Sequence, residues 1–233
     1  MRVLAITGAG KAFCSGGDVQ HMVELKARGS GYEAIAPLLE LGRAIVTRLA
    51  ALEMPVIAAV NGVAAGAGLN LALACDVRIA SSEARFAESF VKLGLHPDWG
   101  GTFHLPRLAG TAAALDLCWT GEAIDAAAAL RLGLVQRVVP AAAFERSWRA
   151  YAGALAAAPI TSVRAAKRTL RAALARTLDQ CLDAEAEAQA GCWASTDSAE
   201  GLAAFAEKRA PRFGGEPVEE PSRPPSRAAR RFE

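Results

Sequence analysis

The longest apolar run in the chain, VIAAVNGVAAGAGLNLALACD from Val56 to Asp76, carries no charge until Asp76. Its first part, Val56–Val60, follows Pro55 with β-branched residues and predicts a short buried strand. Its last part, from about Ala67 to Cys75, is made of good helix formers and predicts a short buried helix. Between them stand Asn61, Gly62, Gly66 and Gly68, which suit a tight turn and the close approach of a ligand. A strand, a glycine turn and a helix N-terminus together offer unpaired N–H groups to a developing negative charge. Two plainer readings compete. The window 56–75 is long enough to span a bilayer, with a G-x-x-x-G pattern at Gly62 and Gly66. Asn61, Asn70 and the glycines argue against that. A buried strand, turn and helix with no ligand fits the spacing as well.

Elsewhere the rhythm alternates between short strands and helices. Val3–Thr7 predicts a buried strand. Gly8-Ala9-Gly10-Lys11-Ala12-Phe13 begins like a dinucleotide loop, but Phe13 stands where the third glycine belongs. Cys14-Ser15-Gly16-Gly17-Asp18 is a second glycine turn and a second candidate set of N–H donors; Asp18 reads as a turn or cap residue. His21–Gly31 predicts a polar loop or short helix, and Tyr32–Glu53 a helix on its three–four apolar spacing, ended by Pro55. Val77–Ala80 predicts a strand, and a loop carrying Glu83, Arg85 and Glu88 leads to Phe90–Leu95. Thr111–Cys118 and Asp125–Leu132 predict helices, the second ended by Gly133, and Leu134–Val139 a strand closed by Pro140. The pattern is helical over 141–158, 160–177, 179–192 and 198–208. The stretch 214–233, rich in Pro, Arg and Glu, predicts a disordered tail. The whole is α/β with a helical C-terminal part.

His96-Pro97-Asp98-Trp99-Gly100-Gly101-Thr102 is the second segment with chemistry in it. Ordinary turn propensity accounts for Pro-Asp before glycine. A carboxylate held on a rigid turn beside Trp99 and His96 accounts for it equally, because apolar surroundings raise its pKa toward that of a base for carbon acids. His96 and His104 have no partner at metal-ligand spacing, so no metal is expected.

Composition narrows the classes. The 233 residues are 52% hydrophobic, enough for one large domain with a sizeable core, and the net charge is only +2. Neither nucleic acid nor a membrane is expected as a partner. Arg164, Lys167, Arg168, Arg171 and Arg176 cluster on the helix 160–177, but no aromatics interleave as in an RNA platform. Five cysteines (Cys14, Cys75, Cys118, Cys181, Cys192) without a C-x-x-C predict free, mostly buried thiols and a cytoplasmic location.

Five runs, in this order, carry a resemblance: TGAGKAFCSGGD (7–18), PVIAAVNGVAAGAGLNLALACDVRIAS (55–81), FVKLGLHPDWGGTFHLPRLAG (90–110), TGEAIDAAAALRLGLVQRVV (120–139) and FAEKRAPRF (205–213). The chain resembles the crotonase superfamily of enoyl-CoA hydratases and isomerases, and within it the 1,2-epoxyphenylacetyl-CoA isomerase-like subgroup. The resemblance implies a spiral ββα core over residues 1–140 holding an oxyanion hole, and a helical trimerisation region over 141–213. It also implies a homotrimer or hexamer. Relatives begin with a further strand pair and helix, so that N-terminal unit is expected to be missing here.

The implied substrate is an acyl-CoA thioester, with coenzyme A part of the substrate and no separate cofactor. The matching backbone donors are Gly17 and Ala67. Ser15, Gly16, Gly66, Phe90 and Trp99 are implied around the substrate. Phe205 and Lys208 match a pattern that contacts the CoA nucleotide; a core aromatic and a helix-end charge explain them as well. Hydratases of this family use two glutamates, and Asn70 and Phe90 stand at those positions. Asp98 matches the aspartate of the isomerase subgroup, where one carboxylate removes a proton at one carbon and returns it at another. The expected function is therefore an enoyl-CoA isomerase with Asp98 as its catalytic residue and Glu88 in reserve. A hydratase working through another residue and a non-catalytic acyl-CoA binder are the alternatives.

Overall fold

The computed structural model describes residues 1–214; the expected tail lies outside them from residue 215. Two parallel-dominated sheets are threaded by one repeated step. β1 (Leu4–Thr7), β3 (Val56–Val60), β5 (Val77–Ser81) and β8 (Arg137–Val139) form one sheet in the order β1-β3-β5-β8. β2 (Ala12–Cys14), β4 (Val63–Ala65), β6 (Arg85–Ala87) and β7 (Ile124–Asp125) form the other, in the order β2-β4-β6-β7. Only β6–β7 is antiparallel. Three times in succession the chain lays one strand in the first sheet and the next in the second, which makes the spiral ββα core.

β3 is fully buried because it pairs on both edges, Ala58 opposite Ile6 on β1 and opposite Arg78 on β5. Its period of two then feeds two cores. Val56, Ala58 and Val60 enter the larger one with Leu69, Leu73, Phe86 and Leu105. Ile57 and Ala59 meet Ile79, Phe144 and Trp148. Phe144 and Trp148 belong to α7 (Phe144–Ala156), which packs with the first compact unit, Met1–Ala156. Its large apolar side chains cover the face of the sheet formed by Ile57, Ala59 and Ile79.

The remaining helices of this unit are α1 (Val19–Ala27), α2 (Ala36–Ala51), α3 (Ala67–Ala74), α4 (Gly101–Ala109), α5 (Thr111–Thr120) and α6 (Ala126–Arg131). The single helix expected over Tyr32–Glu53 is a 3-10 turn, Tyr32–Ala34, followed by α2. The break falls where Pro37 enters the first turn of α2, a position that suits its missing N–H. The second unit, from Ala157, contains α8 (Ile160–Ala173), α9 (Leu178–Trp193) and α10 (Thr196–Ala206). α9 opens on a reciprocal cap: Thr177 Oγ1 accepts from Gln180 N, and Gln180 Oε1 accepts from Thr177 N at 3.0 Å. Arg176 lies beyond the end of α8, so the basic row expected on 160–177 is shorter than its sequence spacing. Of the five free cysteines only Cys75 is buried, fewer than expected. Among the described residues no helix is long and apolar enough to cross a membrane.

Candidate active site

The turn after β2 and the turn before α3 meet. Gly16 has φ +95°, and a Cβ on it would stand 2.8 Å from the Ala65 carbonyl oxygen and 3.7 Å from the Ala67 nitrogen. A side chain there would be strained and would collide with the second turn, so glycine is what lets the two segments touch. Ala67 is the first residue of α3, and its N-cap, Gly66, offers no side-chain cap. Among the described residues, neither the Gly17 N–H nor the Ala67 N–H donates to a protein acceptor. Two free main-chain donors on adjoining turns, one at a helix N-terminus, form an anion cradle.

Asp18 is not part of it. Its Oδ1 accepts from the His21 backbone at 3.0 Å and caps α1, as the sequence suggests. The Gly8–Gly10 loop is also accounted for, because its polar groups turn to Asn61. Asn61 Oδ1 accepts from Gly8 N at 3.0 Å, and its Nδ2 donates to the carbonyls of Gly10 at 3.0 Å and Ala12 at 3.2 Å.

One turn along α3 from Ala67, the buried Asn70 reaches across to the acid turn. Its Nδ2 donates to the Asp98 carbonyl at 2.9 Å, and the same carbonyl accepts from Gly101 N at 3.0 Å. Gly101 has to be glycine, since a Cβ would lie 2.5 Å from Asn70 Nδ2. The chain between these anchors is unusual. Trp99 has φ +49° and Gly100 φ +82°. A non-glycine residue there stores on the order of 1–2 kcal/mol of strain, which the two bonds to the Asp98 carbonyl hold in place. The Trp99 indole leaves the cradle and packs against Gly42 of α2. Phe90 is buried, and its ring lies 3.6 Å from where a Cβ on Gly66 would stand, closing the cradle from the side.

The Asp98 carboxyl is half buried, and its Oδ1 is turned inward with no hydrogen-bond partner. Burial pushes its pKa above the ordinary 3.8; its own backbone N–H and the charge of His96 pull back less. A second carboxyl, Glu88, lies deeper. It is fully buried, and burial raises its pKa to about 8; the neighbouring Asn70 amide opposes this and the charge of Asp98 adds to it. From sequence, Glu88 reads as a loop charge. The strand β6 just before it, three residues long, gave no signal that the side chain points inward.

Ser15 is exposed next to the first glycine turn. Phe205 and Lys208 lie in the second unit, at the end of α10 and just beyond it. Both are exposed, so Phe205 is not the core aromatic that one reading expected. Lys208 has φ +54°. Nearby, Arg209 grips Glu200 through two contacts, at 2.6 and 2.9 Å. Among the described residues no group of three His, Cys, Asp or Glu side chains could hold a metal ion.

Two main-chain donors lie on adjoining turns, and a half-buried carboxyl sits on a turn tied to the helix that carries one of them, on a crotonase fold. The family profile for enoyl-CoA hydratase/isomerase matches residues 1–216. A probable enoyl-CoA hydratase of Rhodobacter capsulatus is 42% identical over 214 residues, covering 92% of this chain and 81% of the relative. A 1,2-epoxyphenylacetyl-CoA isomerase of Escherichia coli is 39% identical over 222 residues, covering 92% of this chain and 82% of the relative. The crystal structure of an enoyl-CoA hydratase from Bacillus anthracis superposes with a TM-score of 0.86 at 38% identity, covering 92% of this chain and 82% of that one. The chain belongs to the enoyl-CoA hydratase/isomerase family of the crotonase superfamily.

Proposed function

We propose that this protein is an acyl-CoA isomerase that moves a proton between two carbons of an enoyl thioester through Asp98. The thioester carbonyl oxygen accepts from the N–H groups of Gly17 and Ala67. Those donors are worth more to the enolate than to the ground-state carbonyl; removing one such donor typically costs about 10²–10³-fold in rate. The Asp98 carboxylate takes a proton from carbon as the electron pair moves into the enolate. The resulting acid returns the proton at a second carbon, and the double bond forms between the carbons left behind. Gly16, Gly66 and Phe90 shape the cradle, Ser15 lies at its edge, and Phe205 and Lys208 are assigned to the CoA nucleotide by the resemblance.

The observation that carries this reading is the buried, unpartnered Asp98 Oδ1 on a turn held by Asn70, with Asn70 and Phe90 standing where acids are implied in hydratases. Hydration needs one group to activate water and another to deliver a proton. Glu88, the other carboxyl at hand, is fully buried, and burial holds its proton up to about pH 8, so it is a poor base for water at neutral pH. Asp98→Asn is expected to bind acyl-CoA and to lose turnover by about a hundredfold or more. Near-normal turnover in that variant rules the assignment out. Reaction in ¹⁸O-labelled water separates the alternatives: label in the product means hydration, and binding without turnover on any enoyl-CoA means a non-catalytic binder.

Self-association as a trimer or pair of trimers is part of the proposal. Leu170, Leu174, Leu178, Trp193 and Phe205, all of the second unit, are exposed. So many large apolar side chains on three short helices favour a covering partner of the same kind.

A further inference from the structure

Glu88 stands between β6 and the 3-10 turn Ser89–Leu93, and the reaction above leaves it without a task. Neither of its oxygens has a hydrogen-bond partner. The same holds for Asn70 Oδ1 and Asp98 Oδ1. The Asn70 amide and the Asp98 charge both act on Glu88, so these acceptor oxygens, brought by three separate segments, share one buried neighbourhood. Buried acceptors crowded together without a donor are costly, and such a cluster calls for an explanation. A single proton on Glu88 relieves part of it, turning one carboxyl oxygen into a donor for one of the other acceptors. The orientation of Asn70 is already set, because its Nδ2 is committed to the Asp98 carbonyl. Its Oδ1 is therefore an acceptor that only an O–H or N–H can satisfy.

We propose that Glu88 is a positioning residue: it stays a neutral acid in the working enzyme and donates its O–H to the Asn70 amide oxygen, locking Asn70 onto the Asp98 turn. This rests on the reading of Asp98 as the proton carrier. Burial and the charge of Asp98 favour a neutral state and outweigh the Asn70 amide, which favours the carboxylate. Asp98 faces it from the turn before α4 and, when ionised, repels a second negative charge. Cys118 faces it from α5 as a thiol held protonated, chiefly by burial and further by the charge Glu88 would carry. From α3 comes only the neutral Asn70 amide. Glu88 forms no ion pair among the described residues, and His96 acts on Asp98. Burial holds the Glu88 proton up to about pH 8. Above that, the O–H is lost, the Asn70 oxygen faces a like charge, and the strained turn loses its tie.

The test reads the resting protein first. Infrared spectra of the substrate-free wild type should show a protonated carboxyl band at pH 7 that is lost with a midpoint near 8. Asp98→Asn should move that midpoint down, since it removes the neighbouring charge. Kinetics come second. Glu88→Ala should lower kcat about tenfold or more with little change in KM, because the base is displaced while binding survives. Glu88→Gln, which keeps a donor but does not titrate, should restore most of that loss. It should also abolish the fall in kcat above pH 8 expected of the wild type. A wild type with no such band at pH 7, or a Glu88→Gln enzyme with the wild-type alkaline limb, overturns the proposal. Where Glu88→Gln fails to fold, the wild-type band and its shift in Asp98→Asn decide. Full turnover in Asp98→Asn sinks the Asp98 assignment alone, and the wild-type band still decides the protonation of Glu88.

Discussion

Asn70 does the work of a strut, and the residues around it can be judged by that. Its amide joins the helix bearing the Ala67 donor to the turn bearing Asp98. Gly101→Ala pushes a methyl group into that amide and should lower kcat about tenfold or more while leaving KM nearly unchanged, as steady-state kinetics on an enoyl-CoA would show. Asp98 makes a prediction of its own. A base works only when ionised, so activity is lost as pH falls through its pKa. Burial has raised that pKa, so the acid limb of kcat/KM should lie above the ordinary aspartate value of 3.8 and vanish in Asp98→Asn. Gly17, Ala67 and Asp98 stand out in the sequence through the family resemblance, since turn chemistry alone accounts for their motifs as well. Glu88, named from sequence only in reserve, is harder to judge, since a lone glutamate in a loop reads as solvated until its burial is known.

At the scale of elements, legibility follows length and continuity. β3 and α3 were plain because a chargeless run is hard to place except inside. β2 and β4 were hidden, being three residues each and lying in or beside glycine-rich turns. They exist because strands far apart in sequence pair in parallel, which local periodicity cannot report. α4 was hidden by its own ends: Pro97 and the Gly100–Gly101 pair read as a turn, and Pro106 sits within the helix. Asn61 shows how such elements are secured. Its side chain satisfies Gly8, Gly10 and Ala12 and so fastens the β1–β2 loop to the end of β3. Asn61→Ala strands those groups and should cost about 1–3 kcal/mol in denaturant unfolding, with a matching loss of Tm.

Across the whole molecule, the buried acid sets a pH trend. The folded state holds the Glu88 proton up to about pH 8 and the unfolded chain only to about 4.5, so folding takes up a proton between those values. Stability contributed by the protonated group is full below about 4.5 and is lost as pH rises through about 8, a change on the order of a few kcal/mol. Thermal melts should therefore fall from pH 5 to pH 9 in the wild type and fall less in Glu88→Gln. The exposed leucines of the second unit give a separate test. Leu174→Asp should shift sedimentation toward the monomer if the proposed self-association covers that face.

Ala67 and Asn70 ride on the same eight-residue helix, one above the other. Any thermal sliding of that helix carries the Ala67 donor and the tether of the acid along together, while the Gly17 donor stays with the turn after β2. A substitution that shifts α3 is therefore felt by the thioester carbonyl and by the proton carrier at once.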